Sequence, residues 1–311
     1  MRARSSGFFS LTMVFLSNYF SGCVSLSHSP PRLDPGLIRP WTTELGEVSP
    51  RRPFIAHHKK GSYELIYVAA HHENDPKSET HQLVNEAFSR FRPAFLIIEP
   101  IPASEGMSPQ WFVAESLKGI KNDFVVGGES AVAVARATEQ NIGFIGGEID
   151  DRETYRELKQ QSFTDEDILG FYLVRQIPQW VRQREMNGEL DDSRPTSFLK
   201  HYCRTFHIEE ARCPSLSRIR SWYKSKSGKD LSSKITTEES APIFGSNVFT
   251  QKISSAIGII RDRFTLGLIE AMLSKHRFVT VVYGASHYST LKPAIEAGIG
   301  KAKETLTLQK R

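Results

Sequence analysis

Two segments near opposite ends of the chain, His71-His72 and Gly284-x-x-His287, carry imidazoles, the side chain best suited to proton transfer near neutral pH and a common metal ligand. Two carboxylates, Glu99 and Glu148, complete the set of groups that could do chemistry together. Their positions relative to short apolar runs are what links them. His71 and His72 follow YELIYVAA, Glu99 ends AFLIIE, Glu148 follows NIGFIGG, and Gly284 to His287 follow RFVTVVY. In an open α/β sheet, groups just beyond the carboxyl ends of parallel strands converge on one edge. A crevice holding two imidazoles and two or three carboxylates could bind a divalent metal, Glu148 among its possible ligands, or divide general acid and base roles. A metal held there would polarise a carbonyl or activate a water. One histidine after a strand is more often a cap or a loop donor; several such residues at successive strand ends argue for a site.

The elements that would position these residues can be read in order. The four apolar runs are continuous rather than alternating, which predicts a mostly parallel sheet with helices on its faces, an α/β fold. Asp75-Pro76 supplies a cap and a first-turn proline for a helix over 76–92, with Leu83, Val84, Ala87, Phe88 and Phe91 at helical spacing. Ser108-Pro109 begins another, and Glu129 begins an alanine-rich one that ends near Thr138. Thr164 caps a helix that should run to about residue 185, kinked or divided at Pro178. The polar stretch that follows makes 161–247 a helical insertion ahead of a long helix over 248–275, with Ile253, Ile257, Ile260, Phe264, Leu268 and Met272 as its core stripe. A closing helix is expected over 290–297. The α/β domain would span 56–301, leaving 302–311 as a flexible tail.

The N-terminus has the grammar of an export signal. Arg2 and Arg4 precede a short apolar run, and Phe20-Ser21-Gly22-Cys23 closes it like a bacterial lipobox. Residues 1–22 are thus expected to be a signal peptide, Cys23 the lipidated anchor, and 23–55, with six prolines from Pro30 to Pro53, a tether. A loop wrapped on the domain is the competing reading for 41–48. The protein would then face the periplasm, anchored in the cell envelope. Val24 does not resemble an inner-membrane retention signal, which favours the outer membrane. In an oxidising compartment Cys203 and Cys213 could form a disulfide, against a metal knuckle or two free thiols. With 40 Lys+Arg against 35 Asp+Glu, the net charge of +5 is mild and dispersed, giving no reason to expect nucleic-acid binding. No Gly-x-Ser-x-Gly elbow is present, which argues against a serine hydrolase of the usual α/β type.

The motif set resembles the TraB/GumN/Tiki group, which belongs with the erythromycin-esterase-like and ChaN-like proteins. In that group a Gly-x-x-His after the first strand is followed by a helix and a strand ending in Glu, and a second Gly-x-x-His closes the domain. Here Ala69-x-x-His72 stands at the first position, with Val68-x-x-His71 as the alternative, and Gly284-x-x-His287 at the last. Gly128-Glu129 and Arg261-Asp262 are similar to the group's mid-domain Gly-Glu and its Arg-Asp. The resemblance covers about 63–297 apart from the insertion. It implies a hydrolase-like site acting on a peptide or ester-like bond. His72 and His287 would be metal ligands or general bases, Glu99 and Glu129 acid, base or ligand carboxylates, and Arg261 a stabiliser of developing negative charge. The ChaN-like members imply an alternative, haem or iron binding without catalysis through His71, His72, Tyr67 and Tyr288. An envelope scaffold with an inactive site is the third reading.

Overall fold

A computed structural model describes residues 29–308 except 122, 184, 187–189 and 233. The expected signal peptide and Cys23 lie outside the described residues. The fold is α/β. Six strands form one sheet in the order β4-β3-β5-β2-β1-β6. They are β1 (Phe54–Lys60), β2 (Tyr63–Ala70), β3 (Phe95–Pro102), β4 (Gly143–Glu148), β5 (Phe278–Gly284) and β6 (Glu304–Leu306). The central four are mutually parallel, while β1 runs antiparallel to β2 and to β6. β2 and β5 are neighbours, with Ala70 paired to Gly284, so the first and last histidine motifs leave the sheet side by side.

One face of the sheet is covered by α2 (Glu79–Phe91), α3 (Gln110–Ser116) and α4 (Gly128–Glu139). The other face is covered by α9 (Phe249–His276) and α10 (Ala285–Ile299). The insertion is helical as expected, with α5 (Asp151–Gln160), α6 (Asp165–Arg182), α7 (Ser193–Thr205) and α8 (Leu216–Ser227) packed around their own core. Thr164 caps α6 through a reciprocal bond with Asp167. Pro178 lies inside α6 without dividing it, because Ile177 and Trp180 on either side are buried in the insertion core. The long α9 belongs to two cores. Ile253, Ile257 and Ile260 pack into the insertion, while Leu266, Ile269, Met272 and Leu273 pack on the sheet. Arg261 and Asp262 sit at the junction.

Four expectations need correction. The described part of the expected tether, residues 29–53, packs on the domain instead of standing off from it. Leu33 is buried, its N–H bonds to Glu270 at 2.5 Å, and Arg39 N–H bonds to the Thr290 carbonyl at 3.1 Å. A short helix, α1 (Thr43–Val48), lies in this segment, as the wrapped-loop reading of 41–48 anticipated in part. Strand β1 was not anticipated, since its His57, His58, Lys59 and Lys60 break the apolar pattern. The tail is not wholly free, because β6 pairs with β1 and Glu304 bonds to Arg90. Finally, α10 starts at Ala285 rather than 290, which places His287 in its first turn. Cys203 and Cys213 are joined as a disulfide with Cα atoms 5.9 Å apart. Among the described residues no helix is long and apolar enough to cross a membrane.

Candidate active site

Glu99 is aimed by an irregularity in the sheet. β3 pairs regularly with β4 up to Ile98, then shifts register before Pro102, so Glu99 leaves the ladder at a bulge. Gly146 makes this possible: a Cβ there would collide with the Ile101 carbonyl. One Glu99 oxygen accepts from Arg261 Nη2 at 2.9 Å. The other accepts the Gly284 N–H at 2.6 Å and lies 3.5 Å from His72 Nε2. His72 is fixed from its other side, with Nδ1 2.6 Å from Glu129 in the first turn of α4. Arg261 Nε donates to Glu148 at 2.7 Å, and its Nη2 bonds to Glu148 as well. The Tyr283 hydroxyl donates to that carboxylate at 2.6 Å.

These contacts form a chain of alternating charge, Glu148–Arg261–Glu99–His72–Glu129, contributed by β4, α9, β3, the β2 exit and α4. Its electrostatics follow from the order. The Glu99 carboxylate raises the His72 imidazolium to about 9; burial opposes this, and the bond to Glu129 adds to it. Burial alone would push the Glu99 carboxyl up, but His72 and Arg261 together hold it below its ordinary range. Burial, with Glu148 beside it, raises the Tyr283 phenol well above its usual value despite the opposing Arg261 cation. His72 is therefore an imidazolium at neutral pH, and Glu99 is its permanent counter-ion rather than an acid.

His287 is held differently. Its Nδ1 is 2.5 Å from Asp262 Oδ1, and the other oxygen of Asp262 accepts from Thr290 Oγ1 at 2.7 Å. A carboxylate on Nδ1 fixes the tautomer that leaves a lone pair on Nε2, and Nε2 has no hydrogen-bond partner among the described residues. The two imidazoles meet across Gly284. A Cβ on that glycine would lie 3.2 Å from His72 Nε2 and 3.5 Å from His287 Cδ2. They do not open to the same space, however. His72, Glu99, Glu129, Glu148 and Arg261 line a cleft of about 810 Å³ between the strand ends and the insertion helices. His287 borders a cavity of about 20 Å³ with Trp41, Asp262 and Thr290, enough for about one water.

The expected site residues are thus gathered at one sheet edge, with His72 rather than His71 pointing inward. His71 faces solvent beside Glu73. The iron-ligand alternative is not assembled. Tyr67 and Tyr288 pack in the core, 5.0 Å apart, with the Tyr288 hydroxyl on His58. Neither the cleft's oxygens nor its ring nitrogens suit a divalent ion as placed. Arg261 already neutralises Glu99 and Glu148, and both nitrogens of His72 face carboxylates. Among the described residues no group of three or more His, Cys, Asp or Glu is arranged to hold a metal. Arg261 is also less free than expected, since Nε and Nη2 are spent on carboxylates. Sequence reasoning missed Tyr283, which reads as one more apolar strand residue, and the cleft wall on α6. No family model matches the chain, and comparison with curated proteins and with solved structures likewise returned no match.

Proposed function

We propose that this protein is a hydrolase of the cell envelope that cleaves a peptide or ester-like bond by general acid–base catalysis without a resident metal. The observation that carries the reading is the His72 ring, held between two carboxylates where it lines the cleft and separated only by Gly284 from a second, carboxylate-oriented imidazole. His72, charged at neutral pH, gives a proton to the leaving group or stabilises the developing oxyanion. The attacking water in this reading is the one that the small cavity beside His287 can hold: Nε2 accepts its proton, and Asp262 stabilises the imidazolium that results. Glu99, Arg261, Glu148 and Tyr283 hold His72 in place and in its charge state.

The export signal and Cys23 support a lipid-anchored, periplasm-facing location with the outer membrane favoured, and the Cys203–Cys213 bond is what an oxidising compartment permits. Turnover of a panel of chromogenic esters and short peptides tests the activity. His72→Gln and His287→Gln should each lower kcat/KM about 10²- to 10⁴-fold, the span of general acid–base contributions, and dialysis against EDTA should leave the wild-type rate unchanged. Activity that survives both substitutions would sink the reading, activity lost to EDTA would restore the metal, and a panel with no turnover would favour an envelope scaffold.

A further inference from the structure

Helix α6 forms the wall of the cleft opposite the strand ends. Arg175, Gln179 and Arg182 follow one another at spacings of four and three, so they share one face, and all three line the cleft. Seven residues of helix set the Cα atoms of the two arginines about 10 Å apart along the axis. Arg175 is half-buried and Arg182 exposed.

Charge pairing inside the cleft is lopsided. Every carboxylate that lines it has a partner in the protein. Glu99, Glu129 and Glu148 belong to the His72–Arg261 chain. Glu73 faces His71, Glu115 pairs with Lys118, and Glu185 pairs with Arg194. Asp151 accepts from the Tyr172 hydroxyl at 3.1 Å. The two arginines of α6 have no such partner: among the described residues neither makes an ion pair or a hydrogen bond. Arg175 is near enough for its charge to act on Asp151, but it does not bond to that carboxylate. Arg182 is close enough to oppose the charge of His72. Two guanidiniums that line a partly enclosed space with no bonded anion of their own keep their donors available to a ligand, although carboxylates outnumber cations in the lining as a whole.

We propose that Arg175 and Arg182 form an oxyanion subsite, so that the natural substrate carries a carboxylate or a phosphate group that docks on α6 while the bond to be cleaved lies at His72. Guanidinium forks suit either group, since both present paired oxygens at bidentate spacing. Gln176 and Gln179 beside them supply amide donors and acceptors of the kind a peptide-like neighbour would use. The proposal rests on the hydrolase reading for where the bond is cut, but not for where the anion binds.

Calorimetric titration of the whole protein at low ionic strength tests it without turnover. The probes are inorganic phosphate, N-acetylglycine and, as the neutral control, N-acetylglycinamide. One or both anions should bind, the amide should not, and the stronger anion identifies the substrate's headgroup. Arg175→Gln/Arg182→Gln should weaken that binding at least about tenfold, as expected for the loss of charge-assisted hydrogen bonds, while His72→Gln should change it by less than about threefold. Arg182→Gln alone, at an exposed position that the fold does not use, should show a several-fold loss if the double variant is poorly folded. Wild-type protein that binds neither anion, an amide that binds as well as the acid, or arginine variants that bind normally would overturn the proposal. Binding lost in His72→Gln but kept in the arginine variants would also overturn it. Anion binding without any hydrolysis would leave this inference standing and remove the hydrolase reading.

Discussion

The two histidines flank the same glycine and carry the same side chain, yet their surroundings make them different reagents. His72 is 44% exposed and faces two carboxylates, one on each ring nitrogen. His287 is 12% exposed and faces one, Asp262, which is itself buried and held by Thr290. Two carboxylates keep a proton on the ring; one carboxylate behind Nδ1 orients the ring and leaves its far nitrogen open. The bonded partners therefore differ within one strand-end site: carboxylates face both nitrogens of His72, while Nε2 of His287 is left open. Position along α9 carries the same division, since Arg261 serves the His72 chain and the next residue, Asp262, serves His287.

The strongest way to break this division is to remove the cation that only one side uses. Arg261→Met leaves Glu99 and Glu148 buried without their partner and should cost about 3–5 kcal/mol, as one-sided removal from buried ion pairs does. The midpoint of urea unfolding measures it. Thr290→Val, which touches only the His287 side, should cost about 1 kcal/mol for its hydrogen bond; equal losses would mean the two halves are one network. Asp262→Asn should leave the fold intact but lower kcat/KM by about 10²-fold or more, because the amide no longer selects the productive tautomer of His287.

Gly284→Ala sharpens the contrast at the point where the two sides meet. Its φ of −54° accepts alanine without strain, but the new methyl would crowd Glu99 and His72 at 3.2 Å each. A displacement of a few tenths of an ångström should lower the rate about tenfold at a stability cost of about 1 kcal/mol. A rate unchanged in this variant would show that the spacing of the two rings is loose.

Much of this arrangement was legible in the sequence. The parallel strands β2, β3 and β5 read clearly because their paired stretches are buried on both faces and so are continuously apolar, while β4 is a half-buried edge strand. The polar residues at their ends were therefore placed correctly, and the long stripe of α9 fixed where Arg261-Asp262 must lie. Ala69 in place of the expected glycine does no harm, since it is fully buried and its pairing with Tyr283 in β5 is regular. What failed to read has a common physical cause. Strand β1 ends in His57 to Lys60 and β6 spans only Glu304–Leu306, so neither announces itself by burial. The segment around Leu33 and Trp41 is proline-rich and looks like a spacer, but its few anchoring contacts are with residues more than 200 positions away. Tyr283 hides among apolar neighbours because its ring is core and only its hydroxyl is functional. The facing of Arg175 and Arg182 toward the strand ends depends on how the insertion docks, which no local pattern encodes.

A further expected effect is on stability against pH. His72 is raised in the folded state, so its contribution is fully present below its unfolded value of 6.5 and is lost as pH rises through about 9. Glu99 is lowered, so its contribution is present above its ordinary 4.5 and is lost as the medium becomes more acidic. Together they place the strongest contribution between about pH 4.5 and 6.5. His72→Gln should flatten the alkaline decline.

The charge state of His72 is the centre of the account, and it can be read directly. In a proton–nitrogen NMR titration with imidazole-labelled protein, His72, assigned by its disappearance in His72→Gln, should titrate with a midpoint near 9 and remain an imidazolium throughout the neutral range. A midpoint at or below the ordinary 6.5 would mean that Glu99 and Glu129 do not hold its proton, and the division of labour between the two histidines would fall.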